Sequence, residues 1–274
     1  MEFVNLELAR RLEEAEARGM LACIARADRS DSEETPTSLF AHIEIMGGVA
    51  GFAGVDSPVT QAMGVGLHGA VTEAELDTLE EFFRVRGAAV NIEVCPMADM
   101  SLVEMLGKRG YRVTEYSDVM FRDIASDPDA DALPRGVGIR KLGADESRLW
   151  SETVARGFAE YFAVTEEFVQ VMEMFTRRPG VQCYLATVDG ELAGGAALSV
   201  YRDIIGCFGA ATLPPFRRRG VQSALLARRL ADGRAAGGTV AMCVAQLNTA
   251  SHRNIERNGF RVAYTRSKFT RVWG

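Results

Sequence analysis

Apolar residues recur along this chain at two spacings, and the two spacings predict an alternation of helices and strands. Within residues 221–236, Leu225, Leu226 and Leu230 fall on one face of a helix. Residues 204–212 form a short apolar run that ends before two prolines, which predicts a buried strand. The same reading predicts helices over 3–18, 72–86, 100–109, 144–158, 165–177, 221–236 and 249–258, and strands over 91–95, 137–142, 183–188, 191–201, 204–212 and 239–244.

The order of these elements predicts the fold class. In the second half of the chain a strand and two helices precede three antiparallel strands, and strand–helix units follow. Asp189 and Gly190 join two of those strands in a pattern that is typical of a hairpin. We therefore expect an α/β (α+β) architecture, in which a mixed, mostly antiparallel sheet is flanked by helices on both faces.

The two halves of the chain resemble each other. Residues 110–113 (Gly-Tyr-Arg-Val) align with residues 259–262 (Gly-Phe-Arg-Val), and the elements predicted upstream of each then fall into register. Arg122 aligns with Arg271 at the same spacing. Several matches in one register indicate duplication, so we expect a tandem of two copies of one fold.

Residues 126–136 separate the two copies in the sequence. Aspartate, proline and small residues accumulate in this segment, and it has no apolar periodicity. We expect an exposed linker there, with a first domain over 1–125 and a second domain over 137–274. The chain is long enough for each domain to have its own hydrophobic core.

The most distinctive polar segment is residues 217–220 (Arg-Arg-Arg-Gly), between the strand predicted over 204–212 and the helix predicted over 221–236. The first N–H groups of a helix lack partners within the helix, and the helix dipole favours negative charge there. Such a junction suits a phosphate or pyrophosphate, to which the arginines would add charge-assisted hydrogen bonds. Gly220 leaves the backbone accessible to a ligand. A solvated basic turn is the alternative interpretation.

The first half lacks this chemistry at the aligned position. Residues 68–71 read His-Gly-Ala-Val where the second half has three arginines and a glycine. Residues 64–69 match the pattern GxGxxG by letter, but their strand–helix context is poor for a dinucleotide fingerprint. Thr72 and Glu75 predict a helix capping box instead. We therefore expect weak anion affinity here, and an N-terminal half that is structural or shapes the substrate site.

The pattern Arg217-x-x-Gly220-x-Gln222 resembles the acyl-CoA pyrophosphate loop (Q/R-x-x-G-x-G/A) of the GCN5-related N-acetyltransferase (GNAT) family. Residues 239–244 resemble that family's fifth strand, and residues 248–260 resemble the following helix with its terminal Gly-Phe. The resemblance covers the second half of the chain, and the aligned first half then resembles a degenerate copy. It implies a GNAT-like acyl-CoA N-acyltransferase fold in two tandem copies, of which the second is catalytic.

The resemblance also implies an activity, that of an acetyl-CoA-dependent N-acetyltransferase. The acetyl group would move to an amine acceptor, a small molecule or a peptide, by direct attack in a ternary complex. The pyrophosphate would bind the loop amides, and the pantetheine arm would pair with the exposed strand edge. The cofactor-binding residues that the resemblance implies are Ala211, Thr212, Leu213, Arg217, Arg218, Arg219, Gly220, Val221, Gln222, Asn248 and Asn254.

Candidate catalytic residues are fewer. Ile255 stands where many family members carry a tyrosine that protonates the departing thiolate, and Gln222 replaces a small residue of the loop. Glu160 and Tyr161 lie in the break between two predicted helices, where acceptors approach in this family, and are candidates for the base or for recognition. Tyr264 is a candidate general acid. A CoA-binding or partner-binding module without transferase turnover is the alternative function.

Composition excludes several other classes. The net charge of −6 argues against nucleic-acid binding. The histidines are scattered and the five cysteines form no CxxC pattern, so we expect buried free thiols and no metal. No apolar run is long enough to span a membrane, and the N-terminus does not resemble a signal peptide, so we expect a cytoplasmic protein. A fused tandem reproduces within one chain the pairing that single-domain relatives make as dimers, and we expect a monomer or a homodimer.

Overall fold

The computed structural model describes residues 3–31, 40–125, 133–161 and 163–273. Its helices are α1 (Leu6–Asp31), α2 (Glu73–Arg84), α3 (Met100–Lys108), α4 (Ser147–Gly157), α5 (Glu166–Arg177), α6 (Val221–Ala235) and α7 (Ala250–Arg257). Its strands are β1 (Ala41–Ile45), β2 (Gly48–Phe52), β3 (Gln61–Met63), β4 (Val90–Val94), β5 (Arg112–Asp123), β6 (Val137–Lys141), β7 (Val181–Val188), β8 (Glu191–Tyr201), β9 (Ile204–Thr212), β10 (Val240–Gln246) and β11 (Arg261–Arg271). Among the described helices, none combines the length and the apolar character that crossing a membrane requires.

Contacts within the chain divide it into two compact units. Unit 1 comprises Met1–Val119, Ala245–Leu247 and Val262–Gly274, and unit 2 comprises Met120–Val244 and Asn248–Arg261. The units differ from the predicted domains at the C-terminal strand, because β11 packs with unit 1. Of the predicted linker 126–136, residues 126–132 lie outside the described residues. The bounds 1–125 and 137–274 stay a prediction.

The sheet of unit 1 has the order β1-β2-β3-β4-β11-β5. β3 runs parallel to β4, whereas β11 runs antiparallel to β4 with Phe269 opposite Ile92. Phe269 and Trp273 pack against the hydrophobic core of the unit, and the Trp273 indole N–H donates to the Ala88 carbonyl at 2.9 Å. The last strand of the chain therefore completes both the sheet and the core of unit 1.

The sheet of unit 2 contains the order β10-β9-β8-β7-β6. β6 to β9 pair in antiparallel fashion, and β10 pairs with β9 in parallel. Leu198 points to the face that α6 covers, whereas Phe208 packs against Phe175 of α5 on the other face. This confirms the predicted fold class, a mixed α/β sheet flanked by helices.

The repeat in the sequence coincides with a repeated order of elements. α2, β4, α3 and β5 follow one another in the first half as α6, β10, α7 and β11 do in the second. The predicted capping box is also present, because Thr72 caps α2 and exchanges hydrogen bonds with Glu75. The duplicated origin itself stays a prediction.

A buried ionic cluster holds β11 to α1 within unit 1. Arg266 is 2% exposed, and its Nη1 lies 2.7 Å from Glu16 Oε2 and 3.4 Å from Glu13 Oε2. Its Nε lies 3.9 Å from Glu93 Oε2, and the Tyr264 hydroxyl donates to Glu13 Oε1 at 2.8 Å. Burial raises the pKa of the Glu13 carboxyl, and Arg266 opposes that rise. Arg266 is thus a buried counter-charge for Glu13, whose side chain is also buried, and it pairs with the partly exposed Glu16 as well.

We expect Arg266→Ala to lower the free energy of unfolding by about 3–5 kcal/mol, because it leaves the buried carboxylate of Glu13 without a cation. The loss should be smaller at pH 5 than at pH 8. Without Arg266, the pKa of Glu13 in the folded protein rises further above its ordinary value of 4.5. The stability that the protonated carboxyl contributes is fully present below pH 4.5, and it is lost as the pH rises through the folded-state pKa. Urea denaturation at both pH values measures the difference.

Arg271→Ala on the same strand is the matched control. Arg271 pairs with Glu80 at 2.8 Å, and its side chain is 32% exposed, so its removal should cost at most about 1 kcal/mol. Equal losses for the two variants would contradict the counter-charge role of Arg266.

Candidate functional site

A loop with two left-handed residues joins β9 to α6, and we call residues 217–222 the arginine loop. Arg218 has φ of 63° and Gly220 has φ of 80°, after a 3-10 turn over Pro214–Phe216. Gly220 occupies the N-cap position of α6, so no side chain caps the first turn of the helix. Arg218, Arg219 and Gly220 are exposed. The residues in front of α6 are therefore exposed, as an anion-binding site at a helix N-terminus requires.

Two of the loop arginines are held by carboxylates. Arg217 Nη1 lies 2.7 Å from Glu160 Oε1, and its Nε donates to the Thr212 carbonyl at 3.4 Å. Arg219 Nη2 lies 2.8 Å from Asp189 Oδ2 in the β7–β8 turn. The carboxylate partners are 56% and 65% exposed, so these pairs are weak and a phosphate would compete with them.

β9 and β10 pair only at one end, and the gap that opens beyond that end we call the wedge. Pairing covers residues 204–206 of β9 and 240–242 of β10, and the wedge begins at Cys207 and Cys243 of unit 2, where this pairing ends. On its other side β9 pairs with β8, where Ala211 lies opposite Gly195 and Thr212 opposite Gly194. The edge of β9 that faces the wedge is the one predicted to receive a pantetheine arm, and it leads directly into the arginine loop.

An irregularity in β9 shapes this edge. The register between β8 and β9 shifts between Gly195 and Ala197, and Gly209 has φ of 57°. The fully buried Trp150 of α4 fills the space beside it, because a Cβ on Gly209 would lie 3.2 Å from the indole ring. Sequence reasoning missed this arrangement. Its available signal was the run of glycines inside β8 and β9, which often marks a bulge or a close approach.

Ala211 is packed closely from two sides. A Cβ on Gly157 at the end of α4 would lie 2.4 Å from the Ala211 Cβ, and a Cβ on Gly194 would lie 2.4 Å from the Ala211 carbonyl oxygen. Leu213 donates its N–H to the Ala193 carbonyl at 2.9 Å. The predicted residues Ala211, Thr212 and Leu213 therefore lie in close packing at the end of β9, and all three are buried.

Polar side chains connect the first turn of α6 to its neighbours. Gln222 Nε2 donates to Thr212 Oγ1 at 2.8 Å, which ties the helix to the end of β9. The Ser223 hydroxyl donates to Asn254 Oδ1 of α7 at 3.2 Å. The resembled loop has a small residue at the position of Gln222. In this chain the Gln222 side chain instead links the loop to the end of β9 by a hydrogen bond.

Asn248 lies in the turn before α7 with φ of 58°, and its Oδ1 accepts from Arg253 Nη1 at 3.2 Å. The N-cap of α7 is Thr249, whose side chain accepts from the His252 N–H. Asn248 is therefore not the helix cap. Binding of a cofactor by Asn248 and Asn254 stays a prediction.

The candidate catalytic residues lie in different surroundings. Glu160 and Tyr161 follow α4 in unit 2, where Glu160 is paired with Arg217 and Tyr161 is 58% exposed. Tyr264 belongs to unit 1 and is buried with its hydroxyl on Glu13; burial raises its pKa, and the charge of Glu13 raises it further. These contacts favour a structural role for Tyr264, whose role as a general acid stays a prediction. Ile255 is buried and apolar.

The aligned loop of unit 1 differs in its backbone contacts. The Gly66 N–H donates to the Met46 carbonyl at 2.9 Å, and the Val71 N–H donates to Ser101 Oγ at 2.8 Å. Arg10 Nε donates to the Leu67 carbonyl at 2.9 Å, and Leu67 is buried. Backbone groups of this loop are therefore already bonded within the protein, which supports the expected weak anion affinity.

The described residues contain no group of three or more His, Cys, Asp or Glu side chains arranged to hold a metal ion. The described site consists of backbone N–H groups, arginines and two carboxylates, Glu160 and Asp189. Such a set can recognise an anionic ligand, and its carboxylates can accept a proton.

Residues 147–260 match the model of the Acetyltransferase (GNAT) family. Among solved structures, the chain is similar to the GCN5-related N-acetyltransferase from Kribbella flavida, with 16% identity over 96% of both chains and a TM-score of 0.68. It is also similar to the GCN5-related N-acetyltransferase from Sphaerobacter thermophilus, with 17% identity over 96% of this chain and 93% of that chain and a TM-score of 0.58.

A third similar structure is a tandem GNAT protein from the clavulanic acid biosynthesis pathway, with 14% identity over 94% of this chain and 95% of that chain and a TM-score of 0.58. A comparison with curated proteins found no match. At these identities the likeness to solved structures shows the fold. The matched segment contains the arginine loop and the wedge.

Proposed function

We propose that unit 2 binds acetyl-CoA and transfers its acetyl group to an amine, while the N-terminal half has lost the cofactor site. The observation that carries the proposal is that β9, whose edge borders the wedge, continues through the 3-10 turn at Pro214–Phe216 into the arginine loop. In this proposal the β9 edge at the wedge receives the pantetheine arm, and the loop before α6 receives the pyrophosphate. Both lie inside the segment that matches the acetyltransferase family model.

Each part of the cofactor has its own group of residues in this proposal. The pyrophosphate binds the backbone N–H groups from Arg218 to Gln222, and the arginine side chains neutralise its charge. The pantetheine arm pairs with the β9 edge at Ala211, Thr212 and Leu213. On binding, the arginines would leave their exposed carboxylate partners and pair with phosphate oxygens. Because exposed ion pairs contribute little free energy, breaking them would cost little.

Transfer to an amine also requires removal of a proton. An ammonium group with a pKa near 10.4 must lose its proton at pH 7, which costs about 4–5 kcal/mol. Glu160 is the candidate base, because its exposed carboxylate lies beside the loop and would be released from Arg217 when the pyrophosphate takes that arginine. The amine then attacks the thioester carbon directly. Since Ile255 supplies no proton, the CoA thiolate departs without help from that position.

The acceptor in this proposal is a small-molecule or peptide amine. Tyr161 is exposed beside Glu160 and would contact the acceptor. We further propose a cytoplasmic location, since the five cysteines are buried as free thiols, the state expected in a reducing compartment. A monomer or a homodimer is proposed on the tandem arrangement of the chain alone.

The second candidate function is a CoA-binding module without turnover. Ile255 favours it, and so does the absence of Asp and Glu from β9. Calorimetric titration with acetyl-CoA tests the part that the two functions share, and we expect one site per chain. Absence of binding would contradict both functions, and two sites would contradict loss of the site in the N-terminal half. Release of the CoA thiol with a panel of amines then separates enzyme from module.

Glu160→Gln should lower kcat about 100-fold, because the amide is not a base, and should leave the KM for acetyl-CoA nearly unchanged. Steady-state kinetics with the best amine of the panel measures both. Glu152→Gln is the matched control, since Glu152 is a partly exposed carboxylate of α4 that pairs with Arg148. An unchanged kcat in Glu160→Gln would exclude Glu160 as the base.

A further inference from the structure

β9 and β10 carry one cysteine each at the closed end of the wedge. The last paired residues are Gly206 and Met242, and Cys207 and Cys243 come next along the two strands. At equivalent positions of parallel neighbours, side chains point to the same face of the sheet. Both cysteines are buried, and the Cys243 thiol donates a hydrogen bond to the Cys207 sulfur. Strand spacing therefore allows a bond between the two sulfur atoms after a small adjustment.

A buried guanidinium lies beside the two thiols. Arg229 of α6 is 3% exposed, and it donates hydrogen bonds to the carbonyls of Leu225, Ala197 and Phe208 at 3.2, 3.1 and 3.4 Å. In the described part of the chain no carboxylate forms an ion pair with Arg229. A buried cation without a counter-ion favours the ionised form of the acidic groups beside it.

These neighbours make Cys207 the more acidic of the two thiols. The hydrogen bond from Cys243 and the charge of Arg229 lower the pKa of the Cys207 thiol to about 7, although burial opposes them. Cys243 and Arg229 are the titratable and charged groups that shift the pKa of Cys207. Donation of the hydrogen bond raises the pKa of Cys243, as burial does. A thiolate is the reactive form of cysteine, and Cys243 adjoins it with a proton and a second sulfur.

We propose that Cys207 and Cys243 form a redox-active dithiol, which a peroxide converts to a disulfide that joins β9 to β10. The Cys207 thiolate attacks one peroxide oxygen, so that an S–O bond forms, the O–O bond breaks and hydroxide leaves. The Cys243 sulfur then attacks the sulfenic sulfur of Cys207; the S–S bond forms, and hydroxide leaves with the proton of Cys243. Two thiols and one hydrogen peroxide give one disulfide and two water molecules. The disulfide fixes the strand separation where the wedge begins.

The test uses the full-length, reduced protein without any cofactor, so its outcome does not depend on the proposed acetyl transfer. The protein is treated with hydrogen peroxide, unfolded and alkylated with N-ethylmaleimide, and its mass is measured. We expect the number of alkylated cysteines to fall from five to three and to return to five after reduction with dithiothreitol. Peptide mapping should locate the disulfide between residues 207 and 243. The rate should rise about tenfold between pH 6 and pH 8, following the thiolate fraction.

Two variants serve as controls. Cys183→Ser removes another buried cysteine of unit 2 and should leave the disulfide unchanged. Cys243→Ser should stop the reaction at the sulfenic acid of Cys207 and give no crosslink. Five alkylated cysteines after peroxide treatment of the unsubstituted protein, or a disulfide between a different pair, would overturn the proposal. Since both of these outcomes are measured on the unsubstituted protein, the test holds even where a variant fails to fold.

Discussion

Gly220→Glu should lower the affinity for acetyl-CoA by about 1,000-fold. A new carboxylate about 4 Å from the pyrophosphate costs about 4 kcal/mol at a surface site, which corresponds to that factor. Backbone geometry adds to the effect, because φ at Gly220 is 80° and a Cβ there would lie 2.9 Å from Pro134 Cγ. The turn would shift, and the concavity of N–H groups in front of α6 would be lost. Calorimetric titration with acetyl-CoA measures the change.

The control for this substitution lies at the other end of the same helix. Gly237 has φ of 94° and open space around its Cα, so Gly237→Glu adds the same charge and a similar backbone strain away from the arginine loop. We expect Gly237→Glu to bind acetyl-CoA like the unsubstituted protein. If both variants lose affinity equally, the effect is one of folding and the arginine loop is not the binding site.

A second control examines the first half of the chain. Ala70 is exposed in the loop of unit 1 that aligns with the arginine loop, whereas Val71 is buried in the core. Ala70→Glu therefore adds charge without disturbing packing, and we expect no effect on acetyl-CoA affinity. A large loss in Ala70→Glu would mean that the first half also binds the cofactor.

A chain cut at the predicted linker should lose the fold of unit 1. Residues 1–125 expressed alone lack β11, which leaves β4 without the partner strand that pairs with it over residues 267–271. The core also loses Phe269 and Trp273, and the buried Glu13 loses Arg266. We expect the fragment to aggregate or to show no cooperative thermal unfolding by circular dichroism, because exposed strand edges and core promote association.

Co-expression of residues 1–125 with residues 137–274 is the matched experiment. The second fragment carries β11, so the two fragments should copurify and unfold cooperatively. Cleavage of a protease site placed in the linker of the intact protein should likewise leave the pieces together. Cooperative unfolding of residues 1–125 alone, at the same temperature as in the whole chain, would contradict the role of β11 in unit 1.

The arginine loop shows how far local chemistry predicts a site. The apolar run of β9, the prolines after it and the helical spacing of the leucines in α6 each depend on nearby residues. The structure places β9 at Ile204–Thr212 and α6 at Val221–Ala235, close to the predicted ranges, and Gly220 has the positive φ that glycine tolerates. A strand, a turn and a helix in sequence suffice to expose the helix N-terminus. For this reason the candidate anion site was accessible from the sequence.

Tyr264 shows the limit of the same reasoning. The sequence analysis predicts a catalytic hydroxyl at Tyr264, which stays a prediction, but it did not foresee the hydrogen bond from this hydroxyl to Glu13 at the other end of the chain. A strand pattern defines which side chains share a face, and it does not define which element covers that face. Glu13 and Arg266 did not reveal this buried contact in the sequence either, because charged residues are common on exposed helices and strands.

The sequence by itself determined α4 to α7, β6 to β10, the arginine loop and the correspondence of elements between the two halves. These features follow from backbone conformation and from side-chain periods over a few residues. Tertiary structure alone decided that β11 completes the sheet of unit 1, that the wedge opens after three paired residues, and that Cys207 meets Cys243 beside Arg229. Strand pairing depends on backbone hydrogen bonds that every residue except proline offers, so the choice among partner strands rests on the fit of whole faces in the folded core.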